Sequence, residues 1–469
     1  MSQFTGLLGI GVIFAGVYMM SNNRQAINWR LVICGICLQL FVAMFILRTS
    51  WGQQLFQVLG NMVEKILSFA EAGAGFVFGP LVSQPEKMIE IFGPGGSFIF
   101  VFKLVPVFIF VASLAALAYH VGIMQRVVGG MAWIIYRLMG ASGAEATSNS
   151  ASIFVGQVEA QILIKPFLAT ATRSELLAIM AGSMACISGG IMAVYINMGI
   201  AANYLMTASV MAIPGALVIS KILYPEVEES LTRGSIKLDI KKESVNALDA
   251  VVIGASDGLK IGLVVTAMLI AFISLITMID YLLGKTGLYL AGVFYQAGES
   301  AVFLNMDLNN LTFSGVLGAI FYYLAILMGV PLEDALQVGG LMGTKLVINE
   351  FVAYSQMAPM ISAGDLDPKS IIIATFALCG FASFGSVAML IGGMSEMIPE
   401  RKHELATLGI PAMICGTLAS YLSATLAGLL YLPPESSLNN SMFLPLTVML
   451  VAVIVIAAFN IRTLKTQSV

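Results

Sequence analysis

The chain has 469 residues, of which 58% are hydrophobic and only 10% are charged, and its mean hydropathy is +0.92. An ordinary soluble domain is roughly half apolar and a quarter charged, so these values exclude a soluble globular protein. The net charge of -3 is uninformative about partners; no nucleic-acid partner is expected.

Apolar segments that approach or exceed the roughly 18 residues of a bilayer-spanning helix recur along the chain. They cover 4–20, 31–47, 97–119, 176–201, 203–220, 261–283, 369–394, 405–431 and 443–459. The chain is therefore predicted to be a polytopic membrane protein that spans the bilayer with α-helices. The five cysteines and two histidines show no spacing typical of a metal site or a disulfide, and we expect no cofactor and no bound metal.

Basic residues predict the topology. They cluster near Arg24, Arg126, Arg401 and Arg462 and between 221 and 242, and the positive-inside tendency favours the cytoplasm for every cluster. This places the N-terminus outside and the C-terminus in the cytoplasm. It also requires that two apolar segments, 141–168 and 312–357, enter and leave the membrane on the same side.

Both of these segments are interrupted by polar residues, GQVE at 156–159 and TKLVINE at 344–350. Non-helical backbone at membrane depth is tolerated only where it is buried in protein or lines a cavity, so each is predicted to be the tip of a re-entrant hairpin. A small-residue break inside an apolar helix follows each hairpin, CISGG at 186–190 and CGFASFGS at 379–386. Inverted repeats of this kind are the architecture of secondary transporters.

We therefore predict an all-α polytopic fold with inverted repeats, two re-entrant helical hairpins and two broken helices. Residues 1–140 would form transmembrane and interfacial helices, with 51–70 and 122–139 along the membrane surface. The further divisions are 141–224 for the first repeat, 225–311 for a charged linker, a transmembrane helix and an outer loop, 312–432 for the second repeat, and 433–469 for an extra C-terminal helix and tail.

Two glutamates, Glu159 and Glu350, are the main functional candidates. Ionisable residues at membrane depth are costly and usually face the bundle interior or a watery cavity, where they mark substrate or ion paths. A purely structural role, with the carboxylates tied to Lys165 and Lys345, is the alternative. Placement at the hairpin tips favours a binding role, and burial would also allow either carboxylate to carry a proton.

Polar and aromatic neighbours extend this candidate site. Gln157 and Asn349 next to the two glutamates offer donors and acceptors that suit a polyhydroxylated or amide-bearing solute. Phe381 lies in a helix break, where an aromatic ring can stack on a solute. Ser383 and Ser386 would ordinarily bond to carbonyls of their own helix, but on a broken helix they can face solute hydroxyls.

Three stretches resemble the concentrative nucleoside transporter family. GTKLVINEFVAY (343–354) is similar to the family signature of a Lys, three residues and Asn-Glu-Phe-Val-Ala-Tyr. GQVEA (156–160) resembles the Gly-Gln-Ser/Thr-Glu tip, and CGFASFGS resembles a Cys-Gly-Phe-Ala-Asn-Phe-Gly-Ser break. The resemblance covers roughly residues 1–432, and the segment 443–459 looks like an addition to the usual bacterial layout.

The resemblance implies a homotrimer in the bacterial inner membrane, in which a scaffold holds an elevator-like transport domain that carries both hairpins. It also implies roles for individual residues in nucleoside binding. These are Gln157 and Glu159 toward the nucleobase, Glu350 and Ser386 at the ribose hydroxyls, Phe381 against the nucleoside, Ile191 as an apolar wall, and Lys345 and Asn349 in support. Ser383 stands where the family usually has a ribose-contacting Asn.

A sodium site is implied between the first hairpin tip and the break at 186–190. The resemblance builds it from backbone carbonyls near Ser152, Val155 and Ile187 together with two hydroxyl side chains. The hydroxyl positions are Val158 and Cys186 in this chain. A valine offers no oxygen, and a thiol is a poor ligand for a hard cation.

These departures favour proton coupling over sodium coupling, with Glu159 or Glu350 as the proton carrier. A sodium-coupled symporter stays the alternative, because carbonyls and water alone can still bind sodium. The predicted function is a cation-coupled secondary active importer of nucleosides or close analogues. An intramembrane enzyme with paired carboxylates would need a nearby metal or nucleophile, for which the sequence has no motif, and two inverted hairpins argue against a passive channel.

Overall fold

The computed structural model describes residues 2–92, 99–232, 244–294, 302–303 and 306–431. The predicted helix at 443–459 lies outside these described residues. Within them, six helical stretches are long and apolar enough to cross a membrane: Trp29–Arg48, Val101–Val121, Arg173–Asn197, Ala202–Leu223, Ala247–Val293 and Pro399–Leu430. The chain is a multi-pass membrane protein.

Residues 2–92 contain five α-helices. They are α1 (Ser2–Met20), α2 (Trp29–Arg48), α3 (Ser50–Phe78), α4 (Pro80–Ser83) and α5 (Pro85–Phe92). The side chain of Thr49 caps α3 by accepting from the Gly52 amide. The amphipathic helix predicted at 51–70 is therefore present but longer, and it ends where Gly79 adopts a positive φ of 58°.

A first series of elements runs from residue 100 to residue 223. It comprises α6 (Phe100–Val121), α7 (Ile123–Met139), the first hairpin with α8 (Gly143–Ala151), α9 (Glu159–Ile162) and α10 (Lys165–Leu168), then α11 (Arg173–Ala185), α12 (Gly189–Asn197) and α13 (Ala202–Leu223). Capping boxes at Ser142 and Thr172 start α8 and α11. Helix α11–α12 is broken at 186–188, as predicted.

A second series runs from residue 247 to residue 430. It comprises α14 (Ala247–Phe294), α15 (Phe313–Leu327), the second hairpin with α16 (Ala335–Val347) and α17 (Glu350–Ala363), then α18 (Pro368–Leu378), α19 (Phe384–Met397) and α20 (Lys402–Leu430). The break predicted near 379–386 separates α18 from α19. A two-stranded antiparallel ribbon, β1 (Val302–Phe303) and β2 (Met306–Asp307), precedes α15.

Two sequence-based boundaries are wrong. The transmembrane helix predicted at 261–283 is longer at both ends, because α14 runs from Ala247 to Phe294. Its 48 residues span about 72 Å at 1.5 Å per residue. The second hairpin is 335–363 rather than 312–357, and α15 is a separate helix. Gly329, with a φ of 95°, and Pro331 end α15 and start a turn, which apolar periodicity alone did not reveal.

Both series share one order: a long helix, a second helix, a hairpin, a broken helix and a final helix. This is the inverted-repeat, hairpin-bearing transporter fold that the sequence predicted. Helix α14 packs along α6, whereas α11, α13 and α18 all pack against α20. Helices α11, α13, α18 and α20 are largely buried, so they form the centre of the protein against which both hairpins pack.

Candidate functional site

The breaks in the two interrupted helices touch each other. The Phe381 amide donates to the Cys186 carbonyl oxygen at 3.3 Å. Gly380 makes this approach possible, since it adopts a φ of 134° and a Cβ there would lie 2.7 Å from the Ala185 carbonyl oxygen. Free backbone groups of both repeats therefore meet at one point inside the protein.

The tip of the first hairpin is seated on this crossing. The Gly189 amide donates to the Phe154 carbonyl oxygen at 3.4 Å, and Gln157 Nε2 donates to the Ser386 carbonyl oxygen at 3.5 Å. Gln157 is 7% exposed, and its Oε1 is buried without a hydrogen-bond partner. The sequence-predicted residues Gln157 and Ser386 are thus brought together across the two repeats.

Ser383 and Ser386 belong to one helix start. Ser383 caps α19, where its Oγ accepts from the Ser386 amide at 3.3 Å and donates to Ser386 Oγ at 3.0 Å. Both serines are almost fully buried, and Phe381 beside them is half-buried. Donation from Ser383 leaves the hydroxyl hydrogen of Ser386 available to a solute.

The second hairpin contributes a buried carboxylate. Glu350 is the first residue of α17, where Asn349 caps the helix by accepting from the Val352 amide at 2.9 Å. A helix N-terminus favours a negative charge. Tyr195 donates its hydroxyl to Glu350 Oε1 at 3.0 Å, while Glu350 Oε2 is buried without a hydrogen-bond partner.

Neither of the two lysines forms an ion pair with Glu159 or Glu350. The fully buried Lys345 ammonium donates to the Ala377 carbonyl oxygen at 2.8 Å and lies 6.0 Å from the centroid of the Tyr421 ring. Lys165 is exposed at the start of α10. Lys345 therefore fastens α16 to the end of α18, and the ion pairs among the described residues join other side chains.

At the tip of the first hairpin, Glu159 faces the exterior whereas Val158 packs against a neighbouring helix. Glu159 is exposed, and its carboxylate lies so close to Gly156 that a Cβ there would overlap it. The Val158 side chain packs against α19 at Gly393, where a Cβ would also overlap. The short Val158 side chain makes Gly393 necessary for this tip conformation, whereas the exposed Glu159 carboxylate can move away from position 156 and remains accessible.

The residues predicted for cation coupling line the contact between the first hairpin and α11. Ser152 donates to the Ser148 carbonyl oxygen at 2.9 Å, and its Oγ is 3.3 Å from Ser183 Oγ. Ile187 is fully buried in the break, and Val155 is half-buried in the hairpin turn. The Cys186 thiol faces the Ser209 carbonyl oxygen at 3.9 Å.

Tyr195 bonds to the candidate residue Glu350 and was missed by the sequence reasoning. It lies one helical turn after the predicted Ile191 on α12, so the two side chains share a face. It is fully buried, and its ring centroid is 4.3 Å from that of Tyr354. A buried tyrosine hydroxyl needs a partner, but only the fold shows that Tyr195 is buried and which residue it meets.

The arrangement suits a solute that donates hydrogen bonds at two ends. Gln157 Oε1 on one hairpin and Glu350 Oε2 on the other are buried acceptors without partners. Such groups cost free energy until a donor reaches them. An N–H or O–H group of a polar solute would satisfy either acceptor.

Three family models match the chain. They are described as Na+ dependent nucleoside transporter N-terminus (residues 8–81), Nucleoside recognition (residues 101–202) and Na+ dependent nucleoside transporter C-terminus (residues 204–428). Together they cover both hairpins and both broken helices.

Individual relatives agree with these matches. The chain is 38% identical to the uncharacterized transporter YutK of Bacillus subtilis, over 92% of this chain and 100% of that protein. It is 34% identical to the nucleoside permease NupC of Helicobacter pylori, over 91% and 98%. The solved structure of CNTnw in an inward-facing substrate-bound state is 36% identical with a TM-score of 0.83, covering 92% of this chain and 98% of that one.

Proposed function

The chain belongs to the concentrative nucleoside transporter family and is a nucleoside transporter with alternating access rather than an enzyme; we propose that it imports nucleosides with a proton as the coupling ion. The observation that carries the substrate assignment is the pair of buried, unpartnered acceptors, Gln157 Oε1 and Glu350 Oε2. A nucleoside has donors at both ends, amide or amino groups on the base and hydroxyls on the ribose.

In this proposal the first hairpin reads the base and the second reads the sugar. Gln157 and Glu159 bind the nucleobase. Glu350 accepts a hydrogen bond from one ribose hydroxyl, and Ser386 donates one to another. Phe381 stacks on the nucleoside. Ile191 closes the apolar side, Ser383 orients Ser386, and Lys345 and Asn349 hold the second hairpin in shape.

Proton coupling is supported by the absence of side-chain oxygen ligands at two positions of the implied sodium site. Val158 turns an alkyl side chain onto α19, and Cys186 supplies sulfur where a hard cation prefers oxygen. The remaining oxygens are carbonyls near Ser152, Val155 and Ile187, which make sodium coupling the second candidate. In the proton-coupled mechanism, Glu159 or Glu350 binds the proton that moves with the nucleoside.

The assembly and placement are further parts of the proposal. The protein would sit in the bacterial inner membrane as a homotrimer, with its N-terminus outside and its C-terminus in the cytoplasm. The divisions 141–224 and 312–432 would move together as the transport domain, against a scaffold that includes parts of 1–140 and 225–311, with 433–469 as an added helix and tail.

The decisive experiment is uptake of radiolabelled uridine into proteoliposomes with independently imposed sodium and proton gradients. We expect accumulation that persists without sodium and collapses with a protonophore. A panel of competing nucleosides then defines the base preference. Uptake that follows the sodium gradient and is unaffected by the protonophore would identify sodium, not the proton, as the coupling ion. The absence of accumulation against a concentration gradient would contradict active transport.

A further inference from the structure

A glutamine just beyond the first hairpin tip joins three segments in the protein interior. Gln161, on α9, is fully buried. Its Nε2 donates to the Gln157 carbonyl oxygen at 3.1 Å and to Ser183 Oγ on α11 at 2.5 Å, while its Oε1 accepts from Ser148 Oγ on α8 at 2.9 Å. Hydrogen bonds of this kind, withdrawn from water, hold elements firmly in place.

The surroundings allow only one orientation of this amide. The Gln157 carbonyl can only accept, so the nitrogen of Gln161 must face it. Ser183 donates its own hydrogen to the Ile179 carbonyl oxygen at 3.0 Å, which leaves its oxygen free to accept from Gln161. The amide therefore presents its positive end to the contact between the hairpin and α11.

Oxygen lone pairs also face each other at this contact. Ser152 gives its hydrogen to the Ser148 carbonyl at 2.9 Å, and Ser183 gives its hydrogen to Ile179, yet the two Oγ atoms are 3.3 Å apart. Either serine can also donate to the other, and when both hydrogens point to the helix carbonyls the two facing oxygens are stabilised by a positive group nearby. In this chain that group is the Gln161 amide.

We propose that the carboxamide of Gln161 does in this protein what a bound cation would do, holding the first hairpin tip on α11 so that nucleoside binding needs no sodium. This inference rests on the proposed transport function and makes Gln161 a positioning residue. It acts on the nucleoside through Gln157, whose carbonyl it holds while the Gln157 side chain faces Ser386.

The oxygen spacing predicts what happens when the amide is removed. Oxygen ligands lie about 2.3–2.6 Å from Ca²⁺, an ion close in radius to Na⁺, and adjacent ligands in a six-coordinate shell are then about 3.3–3.7 Å apart. The 3.3 Å between Ser152 Oγ and Ser183 Oγ fits this spacing. Gln161→Ala would leave room beside these oxygens and the Gln157 carbonyl, so sodium should enter and restore the tether.

The test is equilibrium binding of uridine to purified protein by calorimetry, in choline chloride and in sodium chloride at the same ionic strength. The unaltered protein should have the same Kd within twofold in both salts. Gln161→Ala should bind at least tenfold more weakly in choline and recover at least threefold in sodium. Thr170→Ala, at an exposed position near the end of the same hairpin, is the control and should match the unaltered protein.

Three results would overturn the inference. In choline, Gln161→Ala could bind uridine with the same Kd as the unaltered protein. Alternatively, Gln161→Ala could bind more weakly without any recovery in sodium, or the unaltered protein could itself need sodium to bind uridine. Size-exclusion chromatography checks that the variant is folded. If Gln161→Ala does not fold, Gln161→Glu decides. Its protonated acid can donate to the Gln157 carbonyl whereas its carboxylate cannot, so uridine affinity should rise more steeply with falling pH in this variant than in the unaltered protein. The same pH profile in both proteins would contradict the inference.

The proposed proton coupling is measured separately, by uptake rather than by binding. Sodium-independent binding with the expected Gln161→Ala response, combined with uptake that ignores a protonophore, would contradict proton coupling and leave the role of Gln161 intact. Proton-driven uptake, combined with a uridine Kd that Gln161→Ala does not change, would support proton coupling and contradict the role of Gln161.

Discussion

Replacing Glu350 by glutamine tests the sugar end of the site with almost no change of shape. The carboxamide oxygen of the Glu350→Gln variant could still accept from the Tyr195 hydroxyl, which now reaches Glu350 Oε1 at 3.0 Å. The other carboxylate oxygen, buried and unpartnered, would be replaced by an NH2 group that cannot accept from a ribose hydroxyl. A hydrogen bond to a charged group is worth about 1.5–3 kcal/mol, so we expect a roughly 10- to 150-fold loss of uridine affinity.

The assay pairs this variant with ligands that lack one hydroxyl. The Kd values of uridine, 2′-deoxyuridine and 3′-deoxyuridine are measured for the unaltered protein and for Glu350→Gln. The loss of affinity caused by the substitution and the loss caused by removing a hydroxyl are then combined in a double-mutant cycle. If Glu350 accepts from a ribose hydroxyl, the penalty of the substitution should shrink to a few-fold for the analogue that lacks it. Uptake into proteoliposomes should fall in parallel, while the elution volume stays unchanged.

Two outcomes would refute the reasoning. One is uridine affinity and uptake within twofold of the unaltered protein. The other is a penalty of equal size for all three ligands, which would mean that the carboxylate supports the hairpin rather than the sugar.

Three further substitutions probe the rest of the site. Tyr195→Phe leaves Glu350 Oε1 buried without its donor, which costs about 1–3 kcal/mol; uridine Kd should rise about 5- to 150-fold, and an unchanged Kd would contradict the bond. Gly380→Ala places a Cβ against the Ala185 carbonyl at a strained φ; the midpoint of thermal unfolding should fall by several degrees, and a constant midpoint would argue against the close approach. Cys186→Ser supplies an oxygen while Gln161 still holds the tip; the ratio of uptake with and without sodium should stay within twofold, and strong sodium stimulation would identify residue 186 as the limiting ligand.

Sequence patterns predicted the parts of the fold that polar residues mark inside apolar segments. GQVE and TKLVINE lie at the two hairpin tips, and CISGG and CGFASFGS are the two breaks, because unpaired backbone at membrane depth has few permitted places. Length and register were less predictable. Asp249, Asp257 and Lys260 lowered the hydropathy at the start of α14, and the turn at Gly329 looked like part of a continuous apolar run.

Contacts between distant segments were beyond the sequence. Tyr195 meets Glu350 across 155 residues, and Gln161 meets Ser183 across 22. Neither residue stands in a recognisable motif, and a tyrosine in an apolar helix is ordinarily a packing residue. Only the fold shows that their polar atoms have partners in the other hairpin or the neighbouring helix.

The two repeats share a shape, but their chemistry differs in a way that divides the work of transport. The tip of the first hairpin is tied to α11 through the Gln161 amide and the Ser183 hydroxyl, which are uncharged, while the buried Glu145 of the same hairpin forms an ion pair with Lys221 on α13. The second carries a buried lysine and a buried glutamate that are bound to different partners, Ala377 and Tyr195. Of the two glutamates at the hairpin tips, Glu350 is buried and Glu159 is exposed. Burial makes an ionised carboxylate costly, so a proton bound at Glu350 would neutralise the hairpin as it carries the nucleoside across the membrane. We therefore expect Glu350, rather than the exposed Glu159, to couple proton and nucleoside. Glu159→Gln should keep proton-driven uptake with altered base preference, whereas Glu350→Gln should retain at most exchange that a protonophore does not affect; the opposite pattern would assign the proton to the first hairpin.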